Sequence, residues 1–178
     1  MAPIIKRRHS KTATTSAVFL LACFVLAIAT QYYYPADIDQ ICEKESPLLV
    51  NNIQSCSLTQ SLISDLKNQG YTPIILESSE SSRGPFKAKF NYEVFEVLNF
   101  KIDENSGSGT AQFRFINGRL FSIVYTPEKS GSAFELFPEN KTKSITIQHS
   151  SNPQRQKSIS WSNNQLEAYI SWWIRRFA

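Results

Sequence analysis

The chain has 178 residues, of which 42% are hydrophobic and 19% charged, with only six Gly and eight Pro. That length accommodates one domain plus an appendage and excludes a large multidomain enzyme. The apolar share excludes wholesale disorder, and the sparse Gly and Pro exclude a collagen-like or low-complexity chain. The formal net charge of +4 resides entirely in Lys6, Arg7, Arg8 and Lys11, because residues 37–178 hold 15 acidic and 15 basic side chains. A charge-balanced domain lacks the cation surplus that displaces counterions from phosphates, so nucleic acid is not expected as a partner.

Between Lys11 and Asp37 lie 25 consecutive uncharged residues, with an unbroken apolar centre over 17–29. A membrane-spanning helix needs about 20 mainly apolar residues, because its backbone polar groups must be satisfied internally. Residues 12–30 reach that length once their Thr and Ser residues are included. The cations before them favour a cytoplasmic N-terminus, and Tyr32, Tyr33 and Tyr34 fall where amphipathic rings suit the far headgroup layer. The expected organisation is therefore a cytoplasmic basic tail over 1–11, a signal anchor over 12–30, a juxtamembrane linker over 31–41 and an extracytoplasmic domain over 42–178. A basic stretch, a short apolar core and Ala27-Ile28-Ala29 also satisfy the rule for a signal peptide cleaved after residue 29. Both readings export the same domain. A lipoprotein signal does not fit, because the apolar run continues six residues past Cys23.

Cysteine usage agrees with export. Cys23 lies within the apolar stretch, which leaves Cys42 and Cys56 as an even pair closing a loop of about 15 residues, the pattern of a disulfide in an oxidising compartment. The alternative is two buried thiols. No Cys-x-x-Cys is present and His149 is the single histidine of the exported part, so no metal site and no cofactor are expected.

Along the domain, Ser57 and Gln60 have capping-box spacing, and Leu58, Leu62, Ile63 and Leu66 recur at helical intervals. A helix is expected over 57–69, with Gly70 as its left-handed terminator. The period then changes to two. Residues 72–77 read as a short strand, placed at a sheet edge by Pro73, and 78–85 as a polar loop. Residues 86–102 read as a long strand with Phe86, Ala88, Phe90, Tyr92, Val94, Leu98, Phe100 and Ile102 on its core face. Residues 103–109 read as a turn. Asn117-Gly118 between 110–117 and 119–126 is the strongest short-range hairpin signal. A further hairpin is expected from 132–137 and 144–149, then a strand over 157–161. Ser162 or Asn163 caps a C-terminal helix striped by Leu166, Tyr169, Ile170, Trp173 and Phe177. The expected fold class is α+β: an antiparallel β-meander with a helix before it and a C-terminal helix packed on one face, preceded by the transmembrane helix.

Few side chains suggest chemistry. Glu96 interrupts the apolar face of the long strand and is the candidate buried carboxylate, with Arg114 or Arg119 as possible partners. A β-bulge near 94–97 is the structural alternative. Trp172 lies off the helix stripe beside Trp173 and is either an anchor for a protein partner or packed against a loop containing Pro153. His149 with Ser150 and Ser151 lacks the orienting carboxylate and oxyanion donors of a nucleophilic site. The Asn140-Lys141-Thr142 sequon matters only in a host that glycosylates. No catalytic residue is assigned.

The functional expectation is a single-pass inner-membrane protein with a periplasmic domain that binds another envelope protein as an accessory component. The alternatives are a secreted enzyme or enzyme inhibitor, and a small-ligand-binding module lined by Phe86, Phe90, Phe113 and Phe121. Nothing in the sequence speaks to oligomeric state.

Overall fold

The structure, a computed structural model, describes residues 10–32, 37–83, 88–103, 107–128, 132–151 and 156–177. It divides into Met1–Pro35 and Ala36–Ala178. The first unit contains α1 (Ser10–Tyr32), a helix whose large apolar side chains, Val18 through Ile28, are all exposed, by 42–68%. The side chains described within it, residues 15–29, extend about 22 Å, against a hydrocarbon core of about 30 Å. Among the described residues, no helix is long and apolar enough to cross a membrane. The side chains of 12–14 and 30, needed for the expected span, lie outside them, as do the tail over 1–9, Tyr33 and Tyr34.

The second unit begins earlier than expected. The segment read as a linker includes α2 (Ile38–Lys44), which buries Ile38 and Ile41, so the compact domain starts at Ala36 rather than at Cys42. Next come β1 (Leu48–Val50), β2 (Ile53–Gln54) and α3 (Thr59–Asn68). The expected capping box is absent. The N-cap is Leu58, and the Ser57 hydroxyl donates instead to the Gln54 carbonyl at 2.8 Å. Cys56 N–H bonds to the Leu120 carbonyl and Leu120 N–H to that of Ser57. The backbone there is committed to strand-like pairing, and the helix cannot start before Thr59. Gly70 ends it as expected, at φ +88°.

Then follow β3 (Ile74–Arg83), β4 (Ala88–Lys101), β5 (Ser108–Ile116), β6 (Arg119–Pro127), α4 (Ser132–Leu136), β7 (Asn140–Lys141), β8 (Ile145–Ser151), β9 (Lys157–Asn163) and α5 (Asn164–Phe177). One antiparallel sheet runs β3-β4-β5-β6-β9-β8-β7. The expected meander holds for its first four strands. β9 then inserts beside β6, because its Ile159 and Trp161 pair with Tyr125 and Ile123, four side chains exposed by at most 1%. β8, with half-buried Ile145 and Ile147, takes the outer place. The strand expected over 132–137 is α4 instead. Phe134 and Phe137 fall three residues apart, so one helical turn brings both onto the core, where a strand would point them to opposite faces. Phe137 meets Trp161 edge-on at 5.2 Å.

The sheet is covered on both faces. Phe95, Val97, Phe113, Phe115, Ile123, Tyr125, Ile159 and Trp161 form the main core with Leu62 and Leu66 of α3 and Leu49 and Val50 of β1. On the opposite face Phe90 stacks on Trp173 of α5 at 4.3 Å. Before the bulge, the face read as core-facing along the long strand packs on the α5 side, where Val94 is buried, while Phe95 and Val97 on its other face join the main core. With apolar residues on both sides, alternation alone does not say which side is deeper. Parity is restored by a bulge between Val97 and Phe100, where Asn99 adopts φ +56° and Phe100 joins the main core. Phe86, at the expected start of this strand, lies outside the described residues. Asn117 and Gly118 both have positive φ, as the tight hairpin requires, and the Asn117 side chain extends the ladder by accepting from Asn91 N–H at 2.7 Å.

Asn163, one of the two expected caps, joins the helix to the rest of the domain. Its Oδ1 accepts from the N–H groups of Gln165 and Leu166 at 2.9 and 3.2 Å, while its amide donates to the Ser55 hydroxyl at 2.8 Å. Both Asn163 and Ser55 are buried. Asn163→Ala removes the cap and leaves Ser55 without that donor, an expected loss of about 2 kcal/mol in urea unfolding. Asn163→Asp, which keeps the acceptor, should lose less. Equal losses for the two variants would contradict the capping role.

Candidate functional site

Cys42 and Cys56 are joined as a disulfide, with Cα atoms 5.5 Å apart. The bond ties α2 to the segment that pairs with β6. Arg119, placed beside the Asn117-Gly118 turn, reinforces the same junction. It donates to Asp39 Oδ1 through Nε at 3.0 Å and Nη2 at 2.7 Å, and to the Cys56 carbonyl through Nη1 at 3.3 Å. This is the one ion pair among the described residues, and at such an exposed position it contributes less than about 1 kcal/mol. Glu45, just after α2, accepts from the Gln165 amide at 2.8 Å and from the Ser144 hydroxyl, fastening the same segment to the start of α5.

Glu96 is half-buried rather than buried. It lies on the α5 side of the sheet, in a cross-strand row with Ile74 and Gln112, and accepts from the Gln112 amide at 3.3 Å. Neither Arg114 nor Arg119 partners it through a described bond. Arg114 lies one row along, beside Val94 and Glu77. Burial pushes the phenol of nearby Tyr92 above its ordinary value; the Arg114 guanidinium opposes that rise and the Glu77 carboxylate adds to it.

His149 serves as a structural clip. Its Nε2 donates to the Phe137 carbonyl at 2.7 Å, its ring meets Phe134 edge-on at 5.2 Å, and its backbone N–H donates to Glu139. Ser150 shares a hydrogen bond with Ser158 at 2.7 Å. Ser150 and Ser158 are brought together by the β8–β9 ladder, and among the described residues no carboxylate is bonded to the imidazole. Among the described residues, no three His, Cys, Asp or Glu side chains converge as metal ligands. Of the four side chains considered as a pocket lining, Phe113 is sealed in the main core, Phe90 sits on the opposite face against Trp173, Phe121 is buried with its ring 6.2 Å from Tyr92, and Phe86 lies outside the described residues.

Trp172 is half-buried, its ring 5.5 Å from Tyr169 and 5.7 Å, edge-on, from Phe177. It packs first within its own helix, next to exposed Ile174, Arg175 and Arg176. The Pro153 loop lies outside the described residues.

The most conspicuous exposed apolar stretch of the domain opens the strand that Pro73 placed at the sheet edge, which proves longer than expected. β3 is the terminal strand of the sheet and exposes Ile74, Ile75 and Leu76 by 48, 62 and 50%; Leu98 on β4 is 51% exposed. Residues 78–83, read as a loop, continue this edge in paired register with β4. The available signal was a Ser- and Glu-rich run immediately following three apolar residues, which is how a strand exposed on both faces reads. No family model matches the sequence, and no curated protein matches it.

Proposed function

We propose that the chain is a single-pass membrane protein whose N-terminus is cytoplasmic and whose domain from Ala36 onward is extracytoplasmic, acting as an accessory component by binding another envelope protein. The Cys42–Cys56 disulfide carries this reading, because such bonds persist in oxidising compartments. The apolar side chains exposed around α1 support a lipid environment for residues 12–30. Trp172, with Ile174 and Arg175 beside it, is the expected anchor on α5, since Trp and Arg are enriched where interfaces concentrate their energy.

The experiment is expression of the full chain followed by membrane fractionation, alkylation of thiols without reductant, and N-terminal sequencing of the mature protein. The expected result is a carbonate-resistant membrane protein with Cys42 and Cys56 unreactive. A mature N-terminus at Thr30 would replace the anchor by a cleaved signal, and reactive thiols on a cytosolic protein would overturn export altogether. For the anchor on α5, a photo-crosslinker at exposed Ser171 should give a discrete adduct that Trp172→Ala abolishes. An adduct unchanged by the substitution removes Trp172 from the interface.

A further inference from the structure

The two edges of the sheet differ in kind. β7 is two residues long, both exposed, the short edge that resists further pairing. β3 is ten residues long and opens with three consecutive exposed apolar residues. Among the described residues, no strand lies against its outer side. A bulge between Ile75 and Glu77 interrupts its ladder once. Beyond it, residues 77–83 keep unbroken register with 94–88 of β4, which makes the strand regular where Glu77 and Glu80 lie.

The charges on that edge indicate what it accepts. Glu77 and Glu80 lie three residues apart, and so on opposite faces of the strand; neither is in an ion pair among the described residues. A second copy related by a two-fold axis would pair antiparallel. A register centred on Glu77 sets that carboxylate opposite itself, and one centred on the whole strand sets Glu77 opposite Glu80. Intermediate registers bring Ile75 or Leu76 opposite Glu80. Like charges opposed across a ladder are unfavourable, so self-pairing is disfavoured in the first two registers, and the intermediate ones offer the carboxylates no charge partner.

Building on the proposed role in binding an envelope protein, we infer that β3 is a strand-addition site for an extended segment of that partner. The segment carries apolar side chains opposite Ile74–Leu76 and Lys or Arg opposite Glu77 and Glu80. Main-chain hydrogen bonds to the outer side of residues 74–80 supply affinity, and the two cations fix register and direction.

The test uses the full chain in detergent or nanodiscs and three synthetic ten-residue probes: an alternating Val/Thr peptide with two Lys spaced three apart, its Glu counterpart, and a Lys peptide interrupted by Pro. Anisotropy should show saturable binding of the Lys peptide alone, with amides of 74–80 gaining protection from hydrogen exchange. The double variant Glu77→Lys, Glu80→Lys, checked by circular dichroism for an unchanged fold, should bind the Lys peptide about tenfold more weakly and acquire binding of the Glu peptide. Equal binding by the variant, binding of the Pro peptide, or protection appearing without peptide as concentration rises would each overturn the inference, the last in favour of a second copy. If the peptides fail while the Ser171 adduct persists, the partner-binding reading stands and the edge site falls. If the peptides bind while the thiols prove cytosolic, export falls and the edge site stands.

Discussion

Breaking the Cys42–Cys56 bond should lower the melting temperature of the domain by about 10 °C. The bond closes a loop with a sequence separation of 14, for which loop-closure entropy contributes about 3 kcal/mol, and a domain of this size shifts by a few degrees per kcal/mol. The effect has a definite location. Without the bond, α2 keeps the exposed Arg119–Asp39 pair, the Glu45 contacts and the burial of Ile38 and Ile41. The segment should therefore loosen before the sheet does. Hydrogen exchange in Cys42→Ser, Cys56→Ser should show lost protection over 38–44 and 53–58, while β5 and β6 retain theirs below the new melting temperature. Reducing the wild-type protein should reproduce the shift. An unchanged melting temperature on reduction would mean that the bond does not constrain the unfolded chain.

Gly109→Ala should destabilise the domain by about 3 kcal/mol, although the substitution adds only a methyl group to a strand. A Cβ at this position would lie 2.5 Å from the Thr126 carbonyl oxygen and 2.6 Å from the Tyr125 ring. Tyr125 is fully buried and its hydroxyl donates to the Gly107 carbonyl at 3.1 Å, so the ring cannot swing away without losing both its burial and its hydrogen bond. The carbonyl belongs to the ladder partner of the neighbouring residue and moves only if the β5–β6 pairing moves. Overpacking of this kind typically costs 1–3 kcal/mol, and a backbone obstacle places it at the upper end. Urea denaturation checks the magnitude. The double variant with Tyr125→Leu should recover little, because the backbone contact remains. A Gly109→Ala protein within about 0.5 kcal/mol of wild type would mean that the strand pair yields more easily than its burial indicates.

Most elements that have strong local chemistry were legible in the linear chain. The hairpin at Asn117-Gly118, the left-handed Gly70, the Asn163 cap and the stripe of α5 depend on φ preferences and nearest-neighbour hydrogen bonds. The capping box at Ser57 failed because a nonlocal contact, the pairing of 56–58 with the start of β6, outcompeted a local one. α4 was misread because a segment this short carries too few apolar residues for its period to show, and the spacing of Phe134 and Phe137 tells only once the surface they share is known. The candidate site was less legible still. Glu96 and Trp172 were singled out as departures from a pattern, and both prove half-buried with neighbours of their own. The edge position of β3 was legible from Pro73, but its second half over 78–83 was taken for a loop, because Ser- and Glu-rich residues look like one when the strand beside them is unknown.

Sequence alone determined the apolar N-terminal segment, the neutral charge of the domain, the cysteine pairing and the α+β composition with its antiparallel strands and C-terminal helix. Each of these follows from composition, periodicity or short-range geometry. Only the tertiary structure decided that β9 lies beside β6, that the sheet is covered on both faces, that the depth of burial switches sides at the Asn99 bulge, and that the edge strand β3 runs on through residues 78–83. Those outcomes are set by competition among distant segments for the same buried surface, and no local pattern along the chain encodes which one wins.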